Sequence, residues 1–205
     1  MKKNLIFFIL AILTLACEND KKKGVEIKEE AEQVNNEGLI KMQAGNYDEA
    51  LNLFNKAIDI DSNYEEPHVN KVEIFLNNSE YDKAIKEIDL ITTKAPEVAE
   101  NWVLAGIFEE KKGNQEKAFE HYRTSIEKFE KRIEAEKKTN AETESENFDS
   151  LVGIVFSYIL LEDFEQVDAY ITLLEEEEDA DEQMISFLLD FNKETYIENI
   201  FPDFN

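Results

Sequence analysis

A five-residue pattern recurs in this chain at a fixed interval. Asn46-Tyr47-Asp48-Glu49-Ala50 returns as Glu80-Tyr81-Asp82-Lys83-Ala84 and again as Asn114-Gln115-Glu116-Lys117-Ala118, so that Ala50, Ala84 and Ala118 stand 34 residues apart. An interval of that length holds one helix, a turn and a second helix. Such a unit is too small to bury its apolar face alone and does so against the units before and after it. The period therefore argues against a sheet and predicts a row of helix pairs.

The first unit shows the local logic. Ala31 to Gln43 reads as a helix with Val34, Gly38 and Leu39 inward, and Gly45-Asn46 supplies the left-handed backbone that ends it. A second helix runs from Tyr47 to about Ile60, with Ala50, Leu51, Phe54, Ala57 and Ile58 on one apolar stripe. Small Gly38 and Ala50 let the two backbones approach closely, while Tyr47 and Phe54 fill the space around them. With only 6 Gly and 3 Pro among 205 residues there are few breakers elsewhere, and 14 Phe with 7 Tyr are enough to fill a core.

On Gly38, Tyr47, Ala50, Phe54 and Ala57 the chain resembles the tetratricopeptide repeat family. The second unit keeps Tyr81, Ala84 and Pro96, with Val72 where glycine is usual and Ile88 and Ile91 for the aromatic and small residues. The third keeps Trp102, Gly106, Ala118 and Tyr122 and departs at Gln115 and Ser125. The resemblance implies an all-α fold, a right-handed superhelix of antiparallel helix pairs. Three repeats are recognisable, at about 31–64, 65–98 and 99–138; a fourth, divergent pair follows at 147–178 and a cap at 180–205, so that the repeat domain spans 29–205.

Beyond the third alanine the period breaks. From Glu116 the helical pattern continues to about Lys138, and Thr139 to Asn147 is polar and reads as a mobile loop. Phe148–Leu161 and Phe164–Leu174 form the fourth pair, with Val155 and Val167 in place of small residues. Asp163-Phe164-Glu165-Gln166-Val167 echoes the recurring pattern. Asp181 to about Lys193 carries Met184, Phe187, Leu188 and Phe191 at helical spacing and suits a capping helix. The aromatic end, Tyr196 to Phe204, either folds back onto that cap or stays exposed as a partner-binding tail.

The other end has a different character. Lys2 and Lys3 precede a 12-residue apolar run, Leu5 to Ala16, that stops at Cys17, the single cysteine. Twelve residues fall short of the ~20 that span a bilayer as a helix, so the stretch reads as a secretory signal. Leu13-Thr14-Leu15-Ala16-Cys17 resembles a bacterial lipobox, with Thr14 in the usual leucine position. That resemblance implies a signal peptide over 1–16, lipidation of Cys17 by palmitate-type acyl chains and a polar tether over 17–28. It places the protein in the cell envelope, exported and lipid-anchored at the outer membrane or the periplasmic face. Ordinary signal cleavage, which tolerates Thr14 and Ala16, would cut at the same bond and secrete the protein without lipid.

Charge narrows the partners. The net charge is -25, and removing the leader takes away two lysines and no acid, so the domain repels nucleic acid and anionic lipid. Chemistry is absent from the patterns. The cysteine sits at the processing position, and His68 and His121 lie on different repeats. No two glycines stand closer than seven residues, which rules out a phosphate-cradling loop and hence a bound nucleotide. Asp59-Ile60-Asp61-Ser62-Asn63 opens like a calcium loop but has Tyr64 and Asn70 where glycine and a bidentate acid belong, and reads as a polar turn. The acidic run Glu175 to Asp179, with Asp181 and Glu182, reads as a solvated helix end. We expect no enzyme, no metal and no cofactor.

The resemblance implies a concave wall built from the first helix of each pair, a surface that takes an extended or helical peptide. By register that wall comprises Glu32, Asn35, Leu39, Met42 and Asn70, followed by Glu73, Leu76, Val103, Ile107 and Glu110. Its mixture of apolar positions and acids suits a basic or amphipathic protein segment. A subset of the family clamps acidic chaperone tails with lysines, asparagines and an arginine; the matching positions here are Asn35, Leu39, Asn70, Glu100 and Leu104, so no such capture is expected. The sequence thus reads as a lipid-anchored adaptor, or as a structural subunit of an outer-membrane assembly complex.

Overall fold

The computed structural model describes residues 27–139, 144–177, 180–202 and 204. The leader, Cys17 and most of the tether lie outside these, as does part of the acidic run after α8. Among the described residues there are ten helices and no strand: α1 (Glu29–Gln43), α2 (Tyr47–Ile60), α3 (Glu66–Asn77), α4 (Tyr81–Lys94), α5 (Ala99–Lys111), α6 (Gln115–Thr139), α7 (Glu144–Leu161), α8 (Phe164–Glu176), α9 (Glu182–Leu189) and α10 (Lys193–Ile200). The chain divides into two units. The first holds α1 to α4 with Phe201, Pro202 and Phe204; the second, residues 97–200, holds α5 to α10.

One device closes every pair. After α1, Gly45 has φ of +79° and donates its N–H to Met42, while Asn46 donates to Lys41. The same two bonds recur as Ser79 to Leu76 and Glu80 to Phe75, as Gly113 to Glu110 and Asn114 to Glu109, and as Glu162 to Ile159 and Asp163 to Tyr158. Each is a Schellman closure, which satisfies carbonyls that a helix end leaves open. Ser79 (φ +59°) and Glu162 (φ +61°) take the left-handed conformation without glycine's freedom. A turn this short forces the following helix to run antiparallel to the one before. The fourth repetition, at Glu162, makes α7 and α8 a pair of the same kind as the other three.

In the first unit, Gly38 lies against the Phe54 ring; a Cβ there would stand 2.5 Å from Phe54 Cε1. Ala50 and Phe54 pack with Ile74 of α3, and Ala31 and Val34 pack with Ala57 and Tyr64, so α1, α2 and α3 share apolar contacts. Val72 and Ile88, which stand in for the glycine and aromatic of the second pair, are both buried. Pro67 opens α3, where its missing N–H costs nothing. Asp61 closes the turn before it: its carboxylate accepts from the Asn63 and Lys28 backbone N–H groups, which hold its pKa below the ordinary value. The rings of Phe201 and Phe204 pack against Tyr81, with centroids 5.5 and 5.0 Å away.

In the second unit the Gly106 backbone lies under the Tyr122 ring, repeating the first pair's arrangement. Gly153 of α7 does the same for Phe129 of α6, so α7 docks on the preceding helix through a glycine that the repeat register does not mark. The Ser125 and Ser157 hydroxyls, 2.8 Å apart, complete that contact. α5 is buried on nearly every side, including Glu100, whose carboxylate takes two hydrogen bonds from Arg132 at 2.8 and 2.9 Å. Arg132 lies on the part of α6 that outruns the repeat, and this bidentate pair gives the extra turns a purchase on α5.

Two expectations change here. α7 begins at Glu144, so residues 144–147 are helical, and the only residues between α6 and α7 outside the description are 140–143. The terminal region is two helices, because Asn192 accepts from the Thr195 N–H at 2.8 Å and caps a new helix at Lys193. Asp181 caps α9 in the same way, accepting from Gln183 and Met184.

Candidate functional site: the faces of the first helices

The wall expected from register divides between the two units. On α1 and α3 of the first, Glu32, Leu39, Met42 and Glu73 are half-buried. Leu39 and Met42 pack against the cluster of Ala50, Phe54 and Ile74, leaving part of each side chain in solvent. Asn35 and Asn70 are buried and joined to each other: Asn70 Nδ2 donates to Asn35 Oδ1 at 3.0 Å, and Asn35 Nδ2 donates to the Tyr64 hydroxyl at 3.2 Å. Tyr64 donates in turn to Glu66 at 2.5 Å. This polar ladder fixes α1 against α3. Leu76 is buried and belongs to the core.

Glu73 is the unusual group. Burial alone pushes its carboxyl up to about 7, and among the described residues no cation pairs with it. A half-buried carboxylate in that state gains by meeting a cation. A contrasting cluster lies elsewhere on α3, where His68 Nδ1 stands 2.6 Å from Glu87 and Lys71 Nζ 2.7 Å from it. Burial works against the charge on Glu87, but the hydrogen bonds from His68 and Lys71 outweigh it and hold its pKa below the ordinary value. That triad is consumed in tying α3 to α4.

On α5 of the second unit, Val103 and Ile107 are core residues, 3% and 1% exposed, and offer nothing to a partner. Glu110 is already engaged, accepting from the Tyr122 hydroxyl at 2.8 Å and pairing with Lys193 Nζ at 2.6 Å. Glu100 and Leu104, two of the chaperone-clamp positions, are also buried. Burial and the nearby Glu110 carboxylate push the Tyr122 phenol upward, so it stays a donor.

The sequence reading missed Lys193 as an inward-facing group, and of its two alternatives for the aromatic end the structure has Tyr196 folded in, 2% exposed and against the Phe191 and Phe156 rings. Lys193, Tyr196, Ile197 and Ile200 fall at i, i+3, i+4 and i+7, an apolar stripe headed by a cation, and that spacing was the available signal. Among the described residues no group of three or more His, Cys, Asp or Glu side chains could hold a metal ion. No helix among them is long and apolar enough to cross a membrane.

Residues 41–103, from the last turn of α1 into α5, match a family model described as tetratricopeptide repeat. No curated protein matches the chain. Among solved structures, the TPR domain of Sgt2 from Aspergillus fumigatus is similar at 17% identity, covering 70% of this chain and 86% of that one with a TM-score of 0.46. A MamA RS-1 ArsTM double mutant is similar at 15% identity, covering 84% and 97%, with a TM-score of 0.47.

Proposed function

We propose that this chain is a non-catalytic, lipid-anchored adaptor of the bacterial cell envelope that holds a protein or peptide segment against the first helices of its repeats. The tetratricopeptide match over 41–103 supports a binding module, and the leader ending at Cys17 supports the anchor. The observation that carries the partner's chemistry is the α1/α3 face. Part-exposed Leu39 and Met42 lie on α1, and α3 carries Glu73, a desolvated carboxyl with no cation of its own among the described residues. Such a face suits an amphipathic segment bearing a lysine or arginine, because the incoming charge relieves the cost of burying the carboxylate.

The alternative is a permanent structural subunit of an envelope assembly, which needs a broad apolar patch. Among the described residues the exposed large hydrophobics are spread over four helices, Ile40 on α1, Leu90 on α4, Phe164 and Leu173 on α8 and Leu189 on α9, and the two that share α8 lie nine residues apart, about two and a half turns, and so face opposite ways. The adaptor reading is therefore preferred. Its test is capture of envelope proteins on the immobilised domain, wild type against Glu73→Lys. A partner held by wild type and lost with the reversed charge supports the reading; a partner retained equally by both refutes the role of this face. Palmitate labelling of wild type against Cys17→Ala tests the anchor, and label that survives the substitution overturns it.

A further inference from the structure

On the second unit the first-helix face already has an occupant, and the chain supplies it. α10 is eight residues long, too short to be stable by itself, and is held by side-chain anchors. Lys193 Nζ reaches Glu110 Oε1 of α5 at 2.6 Å, the Leu160 carbonyl at the end of α7 at 2.8 Å and Glu162 Oε1 at 2.8 Å. Those three acceptors use all three donors of the ammonium. It also lies 5.4 Å over the Phe119 ring. Tyr196, 2% exposed, stands edge-on to Phe156 of α7 with centroids 5.7 Å apart, and Ile197 and Ile200 are buried beside it.

Two features separate this arrangement from an ordinary cap. First, α9 already packs on α8 with Ile185 and Leu188 buried, so the last pair has a capping helix besides α10. Second, the fit of α10 is imperfect. The Tyr196 hydroxyl is buried, and among the described residues no hydrogen-bond partner meets it. An unmet buried hydroxyl weakens the hold of the segment that carries it. A phenylalanine in its place would fill the same ring pocket without that penalty.

We propose that α10 is an intramolecular ligand: the α5/α7 face is a receptor for an amphipathic helical segment of another protein, with a lysine or arginine followed three and four residues later by an aromatic and an aliphatic side chain. α10 occupies that face until such a segment displaces it. The inference deepens the reading of the first-helix faces as partner-binding surfaces and rests on it. A tethered helix competes at an effective concentration on the order of millimolar, so a free partner must carry the better-fitting pattern.

The test uses the full chain and a fluorescein-labelled peptide of residues 190–200, read by anisotropy. Wild type is expected to bind the peptide weakly. Lys193→Glu, which repels α10 from Glu110 and leaves the receptor face unchanged, is expected to bind it about ten-fold more tightly. A peptide carrying phenylalanine at the Tyr196 position is expected to bind that variant more tightly still. The fold-preserving variant Tyr196→Phe seats the tethered helix better and is expected to weaken peptide binding below wild type. Equal binding by all three chains, or none by any, overturns the proposal, as does loss of cooperative unfolding in Lys193→Glu together with no effect of Tyr196→Phe. These readouts are confined to α10 and its face. They can fail while Glu73→Lys still abolishes partner capture, and can succeed while it does not, so failure here is distinct from failure of the proposed function.

Discussion

Replacing Glu73 with glutamine should stabilise the protein in a way that depends on pH. The carboxyl's folded value of about 7 lies above its ordinary 4.5, and burial is the cause. Folding therefore takes up a proton between those two values. The contribution is favourable below pH 4.5, where the acid is neutral in both states, and it is lost as pH rises through 7. Full desolvation would put the cost of ionisation at about 3 kcal/mol; because solvent reaches part of the side chain, about 1–2 kcal/mol is the better figure. Glutamine keeps the shape and never ionises. Urea unfolding of wild type and Glu73→Gln, followed by far-UV circular dichroism at pH 5 and pH 8, gives the stability gap at each pH. The gap should grow by that amount in favour of glutamine at the higher pH. A gap that stays flat, or a Glu73 carboxyl that titrates below pH 5 by carbon-13 NMR, would refute the reasoning.

The other expectations concern packing and turns. Gly106→Ala drives a methyl into the Tyr122 ring and Gly153→Ala drives one into Phe129; each should cost about 1–3 kcal/mol in chemical denaturation. Ser79→Gly removes left-handed strain from a position that glycine fills in the first and third turns, and should raise stability by about 0.5–1 kcal/mol. Glu109 is held down to about 2 because hydrogen bonds from Asn114, Lys112 and Lys117 outweigh the opposing effect of burial. Its contribution is present above the ordinary carboxylate range and is lost as pH falls through about 2. Glu109→Gln should therefore cost about 1–3 kcal/mol at pH 7, with the difference shrinking in acid.

What could be read in advance follows from how local each cause is. Ala50, Ala84 and Ala118 are all fully buried, and the spacing of small residues announced them because a close helix crossing admits little else. Ser79 and Glu162 were invisible as left-handed positions, since neither residue type signals that conformation; the distance from Gly45 to Gly113 held the clue for Ser79. The start of α10 was overlooked because the spacing of Met184, Phe187, Leu188 and Phe191 runs up to it with no glycine or proline to punctuate the chain; Asn192, a residue type that caps helices, was the available signal. On α5 the register could not separate wall from core: the helix is buried on nearly every side, so Val103 and Ile107 follow the wall's spacing while lying inside. Glu110 could not be recognised as occupied because its counter-ion, Lys193, lies 83 residues further along.

The recurring closures bear on how the chain acquires its shape. Each is sealed by bonds between residues three to five positions apart. A hairpin can therefore zip up without waiting for a distant segment, and the first can form while the rest is still being synthesised. Lys193 and Glu110 stand at the other extreme, since the loop joining them closes only when nearly the whole chain is available. Assembly should thus proceed as quick, separate steps followed by one late tightening at the carboxyl end.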